Sequence, residues 1–199
     1  KKVFPVEPDI TQETRVQEYD PNIQIPAILL NYRTPPMQSR EARVLDLIST
    51  YLSTGKSSKL YKKLVDEQKI ALEVQAVSLP LEEYGIYAIL ALPLGDTPLD
   101  QLKTEIDEEI VALKSDLISE KDYQKLQNIY ENNFVNSNAS IQGVATSLSQ
   151  YYLFYNDTNL INSSIEIYKS ITREEIKDVA SKYLNDNQRV VMDYLPENK

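Results

Sequence analysis

The chain has 199 residues, of which 42% are hydrophobic and 26% are charged, so it can bury one sizeable core but is short for two full domains. With 30 acidic and 21 basic residues it carries a formal net charge of −9, which disfavours nucleic acid and anionic lipid as partners. Because it has no cysteine and no histidine, it lacks the usual ligands of catalytic zinc and the usual proton shuttle, and an independent zinc hydrolase is excluded.

The amino-terminal part of the chain is predicted to be a connection followed by a sheet. Residues 1–14 are interpreted as an extended linker, and residues 15–199 as a single domain. No apolar run approaches the roughly 18 residues that a membrane span needs, and no signal peptide is recognisable. Two strands are predicted over Arg15–Tyr19 and Ala27–Tyr32, and the continuous apolar run in the second predicts burial on both of its faces.

The next segment changes from helical to strand-like spacing. Apolar residues recur every three or four positions between Ser39 and Leu52, which predicts a helix packed against the sheet and ended by Gly55. A shorter helix is predicted over Ser58–Glu67. An antiparallel hairpin with a loop longer than two residues is then predicted from the strands Ile70–Leu79 and Tyr84–Leu92.

Helices dominate the rest of the chain. One is predicted from Leu99 to Leu113, another begins at Ser119, and a third covers Ile141–Tyr155. A capping box at Thr172 opens a last helix, and Arg189–Leu195 is predicted as the final strand. Strands grouped with strands and helices with helices predict an α+β fold of two layers, in which helices cover a mainly antiparallel sheet.

Two groups of side chains suggest binding chemistry. Carboxylates cluster in the helix that follows Leu99, and they allow either a divalent cation site or, as we favour, a solvated helix face; they are Asp100, Glu105, Asp107, Glu108 and Glu109. Tyrosine is frequent, with 14 residues. Tyr151, Tyr152 and Tyr155 allow an aromatic peptide groove or, as we favour, packing of a helix against its neighbours.

Three segments resemble the pitrilysin/insulinase family of zinc peptidases, in particular the bacterial branch related to mitochondrial processing peptidase. Tyr32–Pro36 matches a "Y-x-x-P" strand end before a helix. Ser57–Glu67 is similar to an "S-x-L-Y-x-x-L" helix before a long hairpin. Leu117–Leu126 is similar to a later helix start of that family. The order and spacing of the three segments carry the resemblance, which extends from about Val16 onward.

The resemblance implies a fold and a division of labour. Members pair homologous α+β half-domains around a peptide, and one half-domain carries an inverted zinc motif, H-x-x-E-H. A chain without histidine can match only a metal-free half-domain. The resemblance therefore implies no catalytic residue, no metal ligand and no cofactor here, with zinc on a partner domain in the same longer chain or in another subunit. It also implies a peptide substrate, and it favours the periplasm.

A further family feature can be located in this sequence. The closing domain of active members carries an Arg and a Tyr, in "L-R-E-E-x-x-L-A-Y", that bind the substrate carbonyl and the oxyanion. Aligned on Leu64–Leu72, these positions hold Val65 and Leu72, which cannot donate a hydrogen bond. The expected function is a non-catalytic chamber domain of a zinc peptidase, in which an acidic wall would favour basic peptides. The alternative is a structural or partner-binding module without peptidase context.

Overall fold

The computed structural model describes residues 8–197, so part of the linker predicted over residues 1–14 lies outside the described residues. Within this range five strands form one sheet, in the order β1-β5-β2-β4-β3. The strands are β1 (Thr14–Asp20), β2 (Ala27–Thr34), β3 (Ala71–Leu79), β4 (Gly85–Pro93) and β5 (Arg189–Pro196). β1 pairs with β5 in parallel and the other three pairs are antiparallel, which confirms the predicted mainly antiparallel sheet.

Six α-helices are present in the described part of the chain. They are α1 (Arg40–Ser53), α2 (Leu99–Ser115), α3 (Glu120–Ser137), α4 (Ile141–Gln150), α5 (Leu160–Lys169) and α6 (Arg173–Tyr183). Side chains begin several of them, because a helix leaves its first amide hydrogens without partners. Ser39 and Ser119 each accept one such hydrogen bond, and Thr172 forms the predicted capping box with Glu175.

Two helical segments differ from the predictions. The helix predicted over Ile141–Tyr155 is α-helical only to Gln150, and Tyr151–Tyr155 forms a wider π-helical turn, as does Tyr61–Glu67 earlier in the chain. α5 was not predicted. Its Asn-Ser-Ser run has low helix propensity, and tertiary contacts compensate, since the ring of Tyr168 stacks on that of Tyr130 in α3 with the centroids 3.5 Å apart.

The prediction that β2 is buried on both faces was wrong. Its residues alternate in burial: Ile28 and Leu30 are inaccessible to solvent and belong to the core shared with the helices, whereas Leu29 between them is only partly buried. The same alternation runs along β4, where Tyr87 and Ile89 are buried and Ile86 is exposed. A strand in the middle of a sheet can be apolar on both faces even when helices cover only one.

Removing the hydroxyls of two buried tyrosines on paired strands should have different effects on stability. Tyr32 and Tyr87 lie opposite each other, with ring centroids 6.5 Å apart. The Tyr32 hydroxyl accepts a hydrogen bond from Arg189, whereas the buried Tyr87 hydroxyl has no partner among the described residues. Tyr32→Phe should lower the free energy of unfolding by about 1.5–3 kcal/mol, and Tyr87→Phe should leave it unchanged or raise it by about 1 kcal/mol. Urea denaturation checks both; equal losses would contradict this assignment of partners.

Candidate functional site

The side of the sheet that no described helix covers presents a largely apolar surface, interrupted by Asn31, Arg33 and Gln75. It is formed by eight side chains from four neighbouring strands, which we call the open face: Leu29, Val77, Leu79, Ile86, Ala88, Leu90, Val190 and Met192. Strand register brings them together, because residues directly opposite each other project to the same side of a sheet. Leu29 lies opposite Leu90 on one side and Met192 on the other.

The open face is accessible, most of all at its β3 end. Leu79 is 50% exposed, Ile86 43% and Val77 37%, while the side chains nearer the middle of the sheet are partly buried against one another. A large exposed apolar surface on a folded domain generally marks a place where another molecule binds. The open face is therefore the strongest candidate for a functional surface in the described chain.

The charges of the open face do not follow the net charge of the chain. Three successive rows of paired residues cross it, and Arg33 is the one charged side chain that they contain. The nearest carboxylates on that face, those of Glu18 and Glu73, belong to the next row, beside Tyr194 and Leu92. The excess of carboxylates therefore lies outside these three rows, and the open face itself is not acidic.

The opposite side of the sheet contains a buried ion-pair network. Arg189, at the start of β5, is 2% exposed. Its Nε lies 2.7 Å from a carboxylate oxygen of Glu13, its Nη2 lies 2.9 Å from one of Asp107, and its Nη1 donates to the Tyr32 hydroxyl at 2.9 Å. Lys103 adds a second cation, 3.0 Å from Asp107. This network joins the chain before β1 to α2, β2 and β5.

The electrostatics of the network favour its charged forms. Burial disfavours the Asp107 carboxylate, but hydrogen bonds from Arg189 and Lys103 outweigh it and hold the pKa of Asp107 below its usual value. Burial likewise opposes the Arg189 charge, yet its hydrogen bonds to Asp107 and Tyr32 raise the pKa of Arg189. Burial raises the pKa of Tyr32 to about 12, so its hydroxyl stays protonated.

The acidic cluster of α2 is distributed between ion pairs and solvent. Lys63 lies 2.9 Å from both Glu105 and Glu108 and 3.3 Å from Glu109, and Asp107 belongs to the Arg189 network. The predicted solvated face is confirmed for Asp100 and Glu108, which are exposed, but it was wrong for the partly buried Glu105, Asp107 and Glu109. The pairing partners are distant in sequence, so helical spacing alone did not indicate them.

Val65 and Leu72 lie in consecutive elements. Val65 is part of the π-helical turn Tyr61–Glu67 and packs against the hydrophobic core. Leu72 falls in the irregularity between Ala71 and Glu73, where the register of β3 on β4 shifts, and its side chain is 44% exposed. Neither side chain can donate a hydrogen bond to a developing negative charge.

The described residues do not fit a catalytic zinc ion. Between residues 8 and 197, no three or more carboxylate, imidazole or thiolate side chains are grouped so that they could hold a metal ion. The same range contains no helix of sufficient length and apolar character to span a membrane. A mainly antiparallel five-stranded sheet backed by helices on one side defines an α+β domain.

Comparison with known proteins identifies the family. A family model described as "Peptidase M16 inactive domain" matches residues 1–130. The chain therefore belongs to the peptidase M16 family, as an inactive domain. This confirms the resemblance to zinc peptidases. The zinc protease PqqE of Helicobacter pylori is 25% identical over 161 residues, covering 81% of this chain and 36% of that protein.

Solved structures show the same fold. A protease from Helicobacter pylori superposes with a TM-score of 0.88 at 22% identity, covering 98% of this chain and 48% of that one. The peptidase M16 inactive domain from Pseudomonas fluorescens gives 0.79 at 13% identity, with 98% and 45% covered. The periplasmic protease PqqL from Escherichia coli gives 0.75 at 17% identity, with 94% and 21% covered. The chain thus spans about a third of its curated relative and about half of the first of these structures.

Proposed function

We propose that this domain forms one wall of a chamber in which a separate zinc-binding domain hydrolyses peptides. The observation that carries the proposal is the open face, an accessible apolar surface on the side of the sheet that no described helix covers. Membership of the M16 inactive-domain family supports it, because the relatives named above are proteases. The wall contributes contact area and excludes water, and the partner supplies the metal and the hydrolytic groups.

The composition of the open face suggests how the wall meets its substrate. Apolar side chains whose own rows contain no carboxylate favour extended peptide segments with apolar residues over strongly basic ones. Val65 and Leu72, at the positions assigned to an Arg and a Tyr in active members, support contact without stabilisation of an oxyanion. In this proposal the oxyanion is stabilised by groups outside this chain.

The proposal includes a connection and a compartment. Residues 1–14 link the domain to its partner, and residues 15–199 form one folded unit. The ion pair of Glu13 with Arg189 supports the linking role, because it holds the end of the linker against the sheet. The compartment is the periplasm, which is supported by the fold shared with the periplasmic E. coli protease.

Lysine substitutions on the open face test this function. In the domain combined with its histidine-bearing catalytic partner, Val77→Lys, Leu79→Lys and Ile86→Lys together should lower kcat/KM for an apolar peptide about tenfold, a loss of roughly 1.4 kcal/mol, since an extended apolar segment would then meet three hydrated charges. Steady-state cleavage of a fluorogenic peptide measures the effect.

A matched control separates this effect from added charge. Val111, Val135 and Ile141 are 55%, 55% and 92% exposed on helices of the outer layer. Lysine at these three positions adds the same charge and should leave kcat/KM within about twofold. Equal effects of the two triple variants, or no effect of either, would favour the structural or partner-binding module without peptidase context.

A further inference from the structure

The helical layer contains a cavity that the proposed function does not use. It has a volume of about 300 Å³ and lies between α1, α3 and the end of α4, with no strand residue in its lining. Leu47, Leu126 and Phe134 supply apolar walls, and Tyr130 and Tyr151 supply aromatic ones. This volume is at the lower end of the range typical of small-molecule sites.

A carboxylate without a counter-ion lines this cavity. Asp46 accepts a hydrogen bond from the Tyr168 hydroxyl at 3.3 Å, and no cationic side chain among residues 8–197 forms an ion pair with it. Burial raises the pKa of Asp46, and the Tyr168 hydrogen bond offsets this only partly. Arg43, one turn earlier in α1, instead places its guanidinium 5.8 Å from the ring centre of Tyr155. A partly buried carboxylate without a counter-ion is costly, so its presence requires an explanation.

A second acceptor in the lining also lacks a partner. The side-chain oxygen of Asn138 is buried without a hydrogen bond among the described residues, while its Nδ2 donates to the Phe134 carbonyl at 2.9 Å. Two hydroxyls of the lining are already engaged, since Tyr151 bonds Ser164 at 2.8 Å and Thr50 donates to the Asp46 carbonyl at 3.2 Å. The cavity therefore offers two acceptors to a ligand that carries hydrogen-bond donors.

We propose that this cavity binds a small alkylammonium group, which is a protonated primary amine on an alkyl chain. Its ammonium has three N–H donors and no acceptor, which matches the Asp46 carboxylate and the Asn138 oxygen. Its positive charge compensates the negative charge of Asp46. Its alkyl chain packs on Leu47 and Leu126. The amine can come from a free metabolite or from a lysine side chain, because both present the same group.

Titration of the purified chain with butylammonium, followed by NMR, tests the proposal. Binding with a dissociation constant on the order of millimolar is expected, with shifts confined to residues around the cavity. Asp46→Asn should weaken binding at least tenfold, whereas Asp178→Asn, the same change at an exposed position of α6, should not alter it. Butanol, of similar shape but uncharged, should bind at least tenfold more weakly than butylammonium.

Further variants and ligands keep the result interpretable. Asp46→Asn removes a carboxylate that has no counter-ion, so the melting temperature of this variant should equal or exceed that of the wild type. A loss of binding would then not be due to unfolding. Nα-acetyl-lysine amide, whose side-chain ammonium is free, would assign the amine to a polypeptide if it binds more tightly than butylammonium. Equal binding would assign it to a free amine. Binding of butanol as tight as that of butylammonium, equal binding by Asp46→Asn, or binding only after Arg43→Gln would overturn the proposal.

Discussion

Replacing Arg189 with methionine should lower the free energy of unfolding by about 3–5 kcal/mol, the range for removing one partner of a buried ion pair. The guanidinium is 2% exposed and contacts the carboxylates of Glu13 and Asp107 and the hydroxyl of Tyr32. Without it, Lys103 is the one cation among residues 8–197 that still pairs with Asp107 and Glu13, at 3.0 Å and 3.4 Å. Methionine preserves much of the volume, so the loss reports on charge and hydrogen bonding.

Arg40→Met is the matched control for this substitution. Arg40 makes a comparable two-point pair with Glu175, at 2.6 Å and 3.0 Å, but its side chain is 42% exposed. Because water and salt screen exposed pairs, this change should cost only about 1 kcal/mol or less. Urea denaturation of both variants at low and high salt measures the difference. Equal costs would show that Arg189 is not the buried centre of a network.

Gly143→Ala should destabilise the fold by about 3 kcal/mol, the upper end of the range for overpacking, although alanine is the better helix former. A Cβ at this position would lie 1.9 Å from the backbone oxygen of Ser137 and 3.0 Å from its carbonyl carbon. These are backbone atoms, so α4 would have to move away from the end of α3. The capping hydrogen bond from the Gly143 amide to Ser140, at 3.0 Å, would be disturbed as well.

Gln142→Ala provides the control, since Gln142 is exposed in the same turn of α4. It should change stability by no more than about 0.5 kcal/mol. Chemical denaturation compares the two variants, and the NMR spectrum should show shifts at the α3–α4 junction for Gly143→Ala alone. A stabilising Gly143→Ala would mean that helix propensity governs this position and that the close approach of α4 to Ser137 is absent.

Local sequence signals predicted most of the architecture. The capping box at Thr172, the helical spacing in α1 and α2, and the β3–β4 hairpin are all specified by residues close together in the chain. Grouping of strands and helices was enough to predict a helix-covered, mainly antiparallel sheet, because connections between neighbouring elements are short. The absence of histidine and cysteine already predicted an inactive domain, and the family match confirms that prediction.

Long-range contacts account for what the sequence did not indicate. Arg189 and its partner Glu13 are 176 positions apart, and α5 is helical where its residues prefer turns. The open face depends on a register in which Leu29 meets both Leu90 and Met192. The hydrophobic pattern of the sequence can predict that a strand is apolar, but it does not predict which strands lie beside it or which side of it the helices cover.

Peptide cleavage and bound zinc, measured for the purified chain alone and after addition of an M16 domain with the H-x-x-E-H motif, test the central claim most directly. The chain alone should retain no stoichiometric zinc and cleave no peptide. Together the two domains should cleave at least tenfold faster than the catalytic domain alone, because closure around the peptide aligns it and excludes water, and a chelator should abolish the reaction. Chelator-sensitive cleavage by this chain alone, or a catalytic domain fully active without it, would contradict the account.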